Sequence, residues 1–339
     1  MAEERKIRRE EVANAAGVSK AVVTWVMDGS AKDRRISEAT IKKVQNTINE
    51  LNYRPSIWGK LINSQKSGLV AFISSDLSDP NTGEIIRNIN LSMRRHGYGL
   101  MLFDLYGAGT FAQEHIIRFE DCFAEAFILH IPDDNILEFC SEGQFAGKPF
   151  CVLGRNMKDE LFPSVEVDNV KGVEMGLEIL LKRGISSIGI IGDLQSFQYT
   201  QERLEGCRNF LKSFINIKSD FYFRKPSESQ YETGANAIKN WVSSSRLPDA
   251  VFAMGDVMAL GALSEINTLQ IKCPEKIRIM GFDGTAFSEY SSPPLTTVRQ
   301  PFENMCEKAA EICVAGIKGE KLDNVHFLLA PKLIIRKTI

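Results

Sequence analysis

The sequence predicts a small all-α head carrying a helix-turn-helix, followed by a larger α/β body of two lobes built on parallel sheets. Three observations lead there. Residues 1–53 hold short helical patterns only. A connector-like stretch, RPSIWGKLINSQK at 54–66, has Pro near its start, Gly inside and Ser, Asn and Gln towards its end. Beyond residue 67, near-continuous apolar runs alternate with amphipathic helical stretches, the pattern of parallel sheets covered on both faces.

In the head, EVANAAGVSKAVVTWVMDGS (11–30) reads as two short helices either side of Gly17. Gly17 supplies the left-handed backbone that a tight inter-helix turn needs. Ala13 is small enough for close helix approach, and Val12, Val18, Val23 and Val26 form the buried face. Ser19 is placed to cap the second helix. That leaves Ser19, Lys20, Ala21, Thr24 and Trp25 outward. A third helix is expected at 37–51, with Ser37 as its cap and Ile41, Val44, Ile48 and Leu51 at helical spacing. Such a second helix suits the major groove of duplex DNA, its outward residues on base edges. The alternative is a plain three-helix bundle for protein contacts, with Trp25 simply packed on the third helix. Lys32, Arg34, Arg35 and Lys42 are candidates for phosphate contacts or for a solvated face.

Charge fits the division. Residues 1–60 hold 12 Lys/Arg against 8 Asp/Glu, whereas the remainder is acidic and the net charge is −2. A basic head on an acidic body suits an anion-binding unit joined to a neutral-ligand or scaffold unit. In the body, strand-like runs lie at 68–74, 98–104, 125–131, 149–154, 187–193, 250–254 and 277–282. Helical stretches lie at 83–96, 169–183, 201–213, 232–244, 256–269 and 302–317. So many elements suit two lobes. Ligands of such sheets bind at the carboxyl ends of strands, here the cleft between lobes.

Several classes are disfavoured. The seven scattered cysteines form no C-x-x-C and read as reduced thiols of a cytoplasmic protein. The four histidines lack metal-ligand spacing, so no metal or other cofactor is expected. The charged N-terminus has no apolar signal-peptide core, and no run is long enough to span a membrane. Dinucleotide, P-loop and nucleophile-elbow motifs are missing, which argues against an α/β enzyme. A soluble sugar-binding protein remains a rival, but it would lack the head.

The stretch VANAAGVSKAVVTWVMDGS…RISEATIKKVQNTINELNYRPS closely resembles the N-terminal domain of the lac-repressor (LacI/GalR) family of bacterial transcription regulators. DLSDPNTGEIIRNI, PSVEVDNVKG, ERLEGCRNFL, PDAVFAMGDVMALGAL, MGFDG and SPPLTTVRQP continue the resemblance in order along nearly the whole chain. The resemblance implies a DNA-binding domain at 1–55, a hinge helix or linker at 56–66 and a body at 67–339 of the type I periplasmic-binding-protein kind. It implies lobe 1 at about 67–166 and 297–325, and lobe 2 at about 167–296 and 326–339, with crossings near 166, 296 and 326. A homodimer on a pseudo-palindromic operator is implied, regulated by a small, carbohydrate-like effector. Tyr53 and Arg54 join the DNA-binding residues, and Ile62 matches the position of an apolar minor-groove wedge.

For the effector, the resemblance carries over Arg203 for ligand oxygens and Asp283 as hydrogen-bond acceptor, a cation and a carboxylate expected on opposite lobes. Asn81, Thr82, Arg155, Tyr231 and Asp256 complete the expected set. The chain also departs from the family pattern. Gly154 and Gly255 stand where relatives have an acid and an Asn. Ser229 falls near the aromatic platform, and Trp25 replaces an Arg suited to guanine.

Overall fold

The computed structural model describes residues 7–53, 66–105, 123–131, 147–155, 157, 162–194, 198–321 and 325–339. The chain divides into two units, Met1–Ser67 and Gly68–Ile339.

The first unit has three helices among its described residues: α1 (Arg9–Ala16), α2 (Lys20–Met27) and α3 (Glu38–Glu50). Gly17 ends α1 at φ 64°, and its N–H and that of Val18 close on the last carbonyls of α1. Ser19 caps α2 by accepting from the Val22 N–H, and Ser37 caps α3 by accepting from Thr40. Val12, Ala13, Ala16, Val23, Val26, Ala31 and Val44 close the core, with Val18 only partly buried. Tyr53 belongs to this core at 7% exposure. That corrects its expected place on a DNA-facing surface: the ring is spent on packing against the helices.

The second unit holds two six-stranded sheets. The first contains β1 (Leu69–Ser74), β2 (Gly99–Asp104), β3 (Ala126–His130), β4 (Phe150–Leu153), β5 (Ser164–Val167) and β11 (His326–Leu329), all parallel, in the order β11-β5-β4-β3-β1-β2. The second contains β6 (Ser187–Gly192), β7 (Lys218–Phe223), β8 (Ala250–Ala253), β9 (Arg278–Asp283), β10 (Thr296–Arg299) and β12 (Lys332–Ile334), in the order β12-β10-β9-β8-β6-β7; only β12 is antiparallel.

Alternate residues of each strand bury on opposite faces, which is why the runs are apolar throughout. Val70 and Phe72 meet α4 (Pro80–Arg95) and α10 (Phe302–Lys318), while Ala71 and Ile73 join a second cluster. In the second lobe, α5 (Asn169–Leu181) and α6 (Gln198–Lys212) cover one face. Helices α7 (Gln230–Ser243) and α8 (Asp256–Thr268) cover the other. A short α9 (Ala286–Tyr290) follows β9.

Two expected crossings need correction. β10 pairs with β9 inside the second sheet, and β11 pairs with β5 inside the first. The chain therefore crosses after Val167, after Arg299 and after Leu329, so two of the three crossings come a strand later than 296 and 326. Those strands are short, and their neighbours decide which sheet they join.

Candidate functional site

On the head, the exposed surface of α2 carries Ser19, Lys20 and Ala21, with Thr24 and Trp25 half-buried. Lys20 Nζ lies 2.8 Å from Glu10 Oε1, and the Thr24 hydroxyl donates to the Lys20 carbonyl. Trp25 packs against the core, and the Arg34 guanidinium sits 4.6 Å from its ring centroid. Lys32, Arg34 and Arg35 are exposed in the turn that follows α2. Arg54, Ile62 and the expected hinge helix lie outside the described residues.

In the body, a cavity of about 720 Å³ opens between the lobes. Its lining follows the carboxyl ends of strands from both sheets. Ser75, Ile131, Gly154 and Val167 come from the first; Asp193, Met254, Asp283 and Gln300 come from the second. This is where parallel sheets expose unpaired backbone and helix starts to a ligand.

Asp283 is the centre of the polar lining. It is 6% exposed and has φ 116°, a backbone conformation costly for any residue but glycine. Its Oδ1 accepts from Arg203 Nη1 at 3.2 Å and Gln300 Nε2 at 2.8 Å. Its Oδ2 accepts from Asn81 Nδ2 at 3.1 Å. Asn81 belongs to α4 of the first lobe, so this bond spans the cleft. A second tie joins the lobes nearby, Arg299 Nη2 to Glu84 Oε1 at 3.1 Å. Asn81 Oδ1 is buried and accepts no hydrogen bond among the described residues.

Arg203 is fixed on every side. Its Nε donates to Asn169 Oδ1, its Nη1 donates to the Met254 carbonyl, and its plane lies 3.7 Å from the Phe282 ring centroid. Arg203 and Asp283 thus share the second lobe and pair with each other, correcting the expectation that they face one another across the cleft. Asn169 extends the network to Glu202 at the first crossing.

Three expected effector residues are elsewhere. Thr82 is buried and does not line the cavity. Tyr231 is 45% exposed and points away, leaving the neighbouring Gln230 in the lining. Asp256 is fully buried and accepts from the Thr285 N–H and from the Thr285 and Thr297 hydroxyls, so it fastens α8 to β10 and the turn after β9. Ser229 caps α7. Asn81, Arg155, Arg203 and Asp283 do line the cavity. Gly255 lies beside Asp283: a Cβ there would stand 3.5 Å from Oδ2. Gly154 needs its φ of 83° and packs against His130.

Sequence reading missed His130, Asp79, Tyr199 and the Arg224–Asp193 pair. A strand-end position was the available signal for His130 and Asp193. His130 stacks near Phe72, and burial pushes it down to about 4, so it is neutral near pH 7. Burial raises Asp79, with the charges of Asp283 and Asp76 adding to it. Ser74 Oγ is 3.4 Å from His130 Nδ1 and Ser164 Oγ is 3.1 Å from His326 Nδ1. Both hydroxyls are buried at strand positions, a poor arrangement for nucleophiles.

Glu166, on β5 beside the first crossing, is pushed up to about 7 by burial and by the charges of Glu202 and Asp168. Unfolded, it titrates near about 4.3. The folded chain therefore takes up a proton between these values. Its contribution is fully present below about pH 4 and is lost as pH rises towards about 7. Glu166→Gln should remove that loss. Melting temperatures at pH 5 and pH 8 should fall less in the variant than in the wild type; parallel falls would refute the assignment.

Comparison with known proteins adds to this geometry. Residues 10–56 match the model of bacterial regulatory proteins, lacI family, and residues 177–339 match a periplasmic binding protein-like domain. The HTH-type transcriptional repressor CytR of Escherichia coli K12 is 28% identical, over 96% of this chain and 94% of its own length. The HTH-type transcriptional regulator CelR of Thermobifida fusca is 27% identical over the whole of both chains. The chain therefore joins a lacI-family helix-turn-helix domain to a periplasmic binding protein-like domain. The chain is a helix-turn-helix DNA-binding transcriptional regulator. A solved transcriptional regulator CelR–cellobiose complex is similar with a TM-score of 0.70 at 26% identity, covering 98% of this chain and all of that one. The lac repressor dimer bound to operator and the anti-inducer ONPF shares the fold, with a TM-score of 0.85 at 22% identity over 98% and 99% of the two chains. Among the described residues, no helix of this regulator is long and apolar enough to cross a membrane.

Proposed function

We propose that this regulator represses transcription as a cytoplasmic homodimer on a pseudo-palindromic operator, and that a small carbohydrate-like effector in the interlobe cleft sets its operator affinity. Asp283 carries the effector reading: a buried carboxylate on strained backbone, in a cavity of about 720 Å³, already bonded from both lobes. A polyhydroxyl ligand offers donors that such a carboxylate accepts and oxygens that the guanidinium groups of Arg203 and Arg155 can bind. The CelR relative was solved with cellobiose, and the lac repressor was solved as a dimer on operator. Asn81, Arg155, Arg203 and Asp283 form the effector set. In the head, Ser19, Lys20, Ala21, Thr24 and Trp25 belong to the DNA-reading helix, Arg34 is a DNA-binding residue of the turn that follows it, and Lys32, Arg35 and Arg54 supply cations for the backbone, with Ile62 as wedge.

Closure of the lobes on a ligand alters the distance between the two heads of a dimer, so the two affinities are coupled reciprocally. The test is an operator selected from randomised duplex, titrated with the full-length protein against a panel of mono- and disaccharides. At least one sugar should bind and shift operator affinity by about five-fold or more, the lower range of such couplings. If sugars bind the cleft and operator affinity never moves, the switch is wrong.

A further inference from the structure

We infer that Trp25 and Arg34 form one specificity element, in which Trp25 is the positioning residue and Arg34 reads guanine in the major groove. The inference rests on the assignment of α2 as the DNA-reading helix. The donors on α2 are largely engaged. The Ser19 hydroxyl accepts from the helix start, the Thr24 hydroxyl donates to the Lys20 carbonyl, and Lys20 is paired with Glu10. Ala21 offers only a methyl group. Solvent screens the Lys20–Glu10 pair, so a phosphate displaces Glu10 readily. A lysine is nevertheless a point charge without the planar fork that selects a base edge.

Arg34 has that fork, and the structure holds it. The segment Ser30–Ile36 is a folded turn: Arg34 N–H donates to the Ser30 carbonyl and Ile36 N–H to Ala31, whose side chain is buried in the head core. Asp28, which ends α2, accepts from both the Ser30 hydroxyl and the Ser30 N–H. Those bonds, with the Arg34 charge adding to them, keep the Asp28 carboxyl below its usual range. The guanidinium carbon then sits over the Trp25 ring, 4.6 Å from its centroid, and the ring itself packs against the head core. A stacked guanidinium keeps its edge N–H groups outward, and two parallel donors match guanine O6 and N7. Trp25 thus acts through Arg34 rather than by its own contact.

The test uses full-length protein and a randomised duplex library. Wild type, Arg34→Ala, Arg34→Lys, Trp25→Leu, Trp25→Phe and the Trp25→Leu/Arg34→Ala double variant are compared. Trp25→Leu keeps apolar packing and removes the π-face; Trp25→Phe restores a π-face. Arg34→Ala and Trp25→Leu should each lose about ten-fold or more of the preference for the same G·C pair. The double variant should lose no more than either single, and Trp25→Phe should retain most of it. Arg34→Lys should keep affinity and lose preference. Arg34 lies exposed in the turn, so Arg34→Ala reports even where the Trp25 variants fold poorly. A uniform loss across all sequences in Arg34→Ala, with a salt slope smaller by about one, would make Arg34 a phosphate contact and overturn the inference. Additive losses at different base pairs, or unchanged preferences, would do the same. A wild type that selects no motif would instead defeat the reading of α2 itself.

Discussion

A methyl group at Gly234 is expected to destabilise the body by about 3 kcal/mol or more, although it sits mid-helix where alanine ordinarily stabilises. Helix α7 crosses α8 so closely that a Cβ on Gly234 would lie 2.7 Å from Ala262 N and closer still to the Met258 carbonyl oxygen. Gly261 repeats the situation from the other side, against the Tyr231 backbone. Neither obstacle is a flexible side chain. Replacing glycine by alanine in a helix gains roughly 1 kcal/mol in propensity. Separating two helices whose shared face contains Ala237, Ile238, Trp241, Ala262, Leu263 and Ile266 costs well more than that. Gly234→Ala and Gly261→Ala should both lower the midpoint of chemical denaturation without changing the slope. Gly83→Ala is the control. It also lies within a helix, and a Cβ there meets nothing within 4 Å. If Gly234→Ala melts with Gly83→Ala, the close crossing is not what fixes these helices.

That crossing is invisible in the sequence because the hydrophobic pattern specifies which face is buried, not how near the partner comes. The pattern was sufficient elsewhere. The runs at 68–74, 187–193 and 250–254 became β1, β6 and β8 because strands buried on both faces are apolar at successive positions. It was insufficient for β7, KSDFYF, an edge strand whose first two residues are exposed. It also failed for β10 and β11, four residues each, whose pairing partners decide their lobe.

The site divides in the same way. Gly17, Ser19 and Ser37 were legible because a left-handed turn and a helix cap are local demands. Asn81, Arg203 and Asp283 were found by resemblance, yet their mutual pairing was not, since it joins residues 80 and 202 positions apart. Tyr231 and Asp256 were misplaced for a related reason. One residue of rotation on α7 exchanges Tyr231 for Gln230 in the cavity. For Asp256, three donors from the 285 and 297 regions turn a plausible ligand group into a structural fastening.

Replacing Arg203 by methionine should cost about 3–5 kcal/mol of stability, the usual consequence of leaving one member of a buried ion pair alone. Asp283, 6% exposed in this structure, would keep the Gln300 and Asn81 amides as its side-chain donors among the described residues. The Met254 carbonyl and Asn169 Oδ1 would lose their donor as well. The loss of effector binding in that variant says little by itself, since a destabilised lobe binds poorly for any reason. The informative variant is Arg203→Met with Asp283→Asn. Removing the second charge removes the uncompensated carboxylate. Asparagine tolerates positive φ better than most residues, so most of the stability should return. Effector response should not return, because neither the guanidinium fork nor the carboxylate acceptor remains for a hydroxyl-rich ligand. Denaturation midpoints and sugar titrations on the single and double variants separate the two roles. A double variant that is stable and still responds to the effector would make the pair a structural fastening of the second lobe. A double variant as unstable as the single would mean that the Met254 and Asn169 hydrogen bonds, rather than the charge, hold this end of the cleft together.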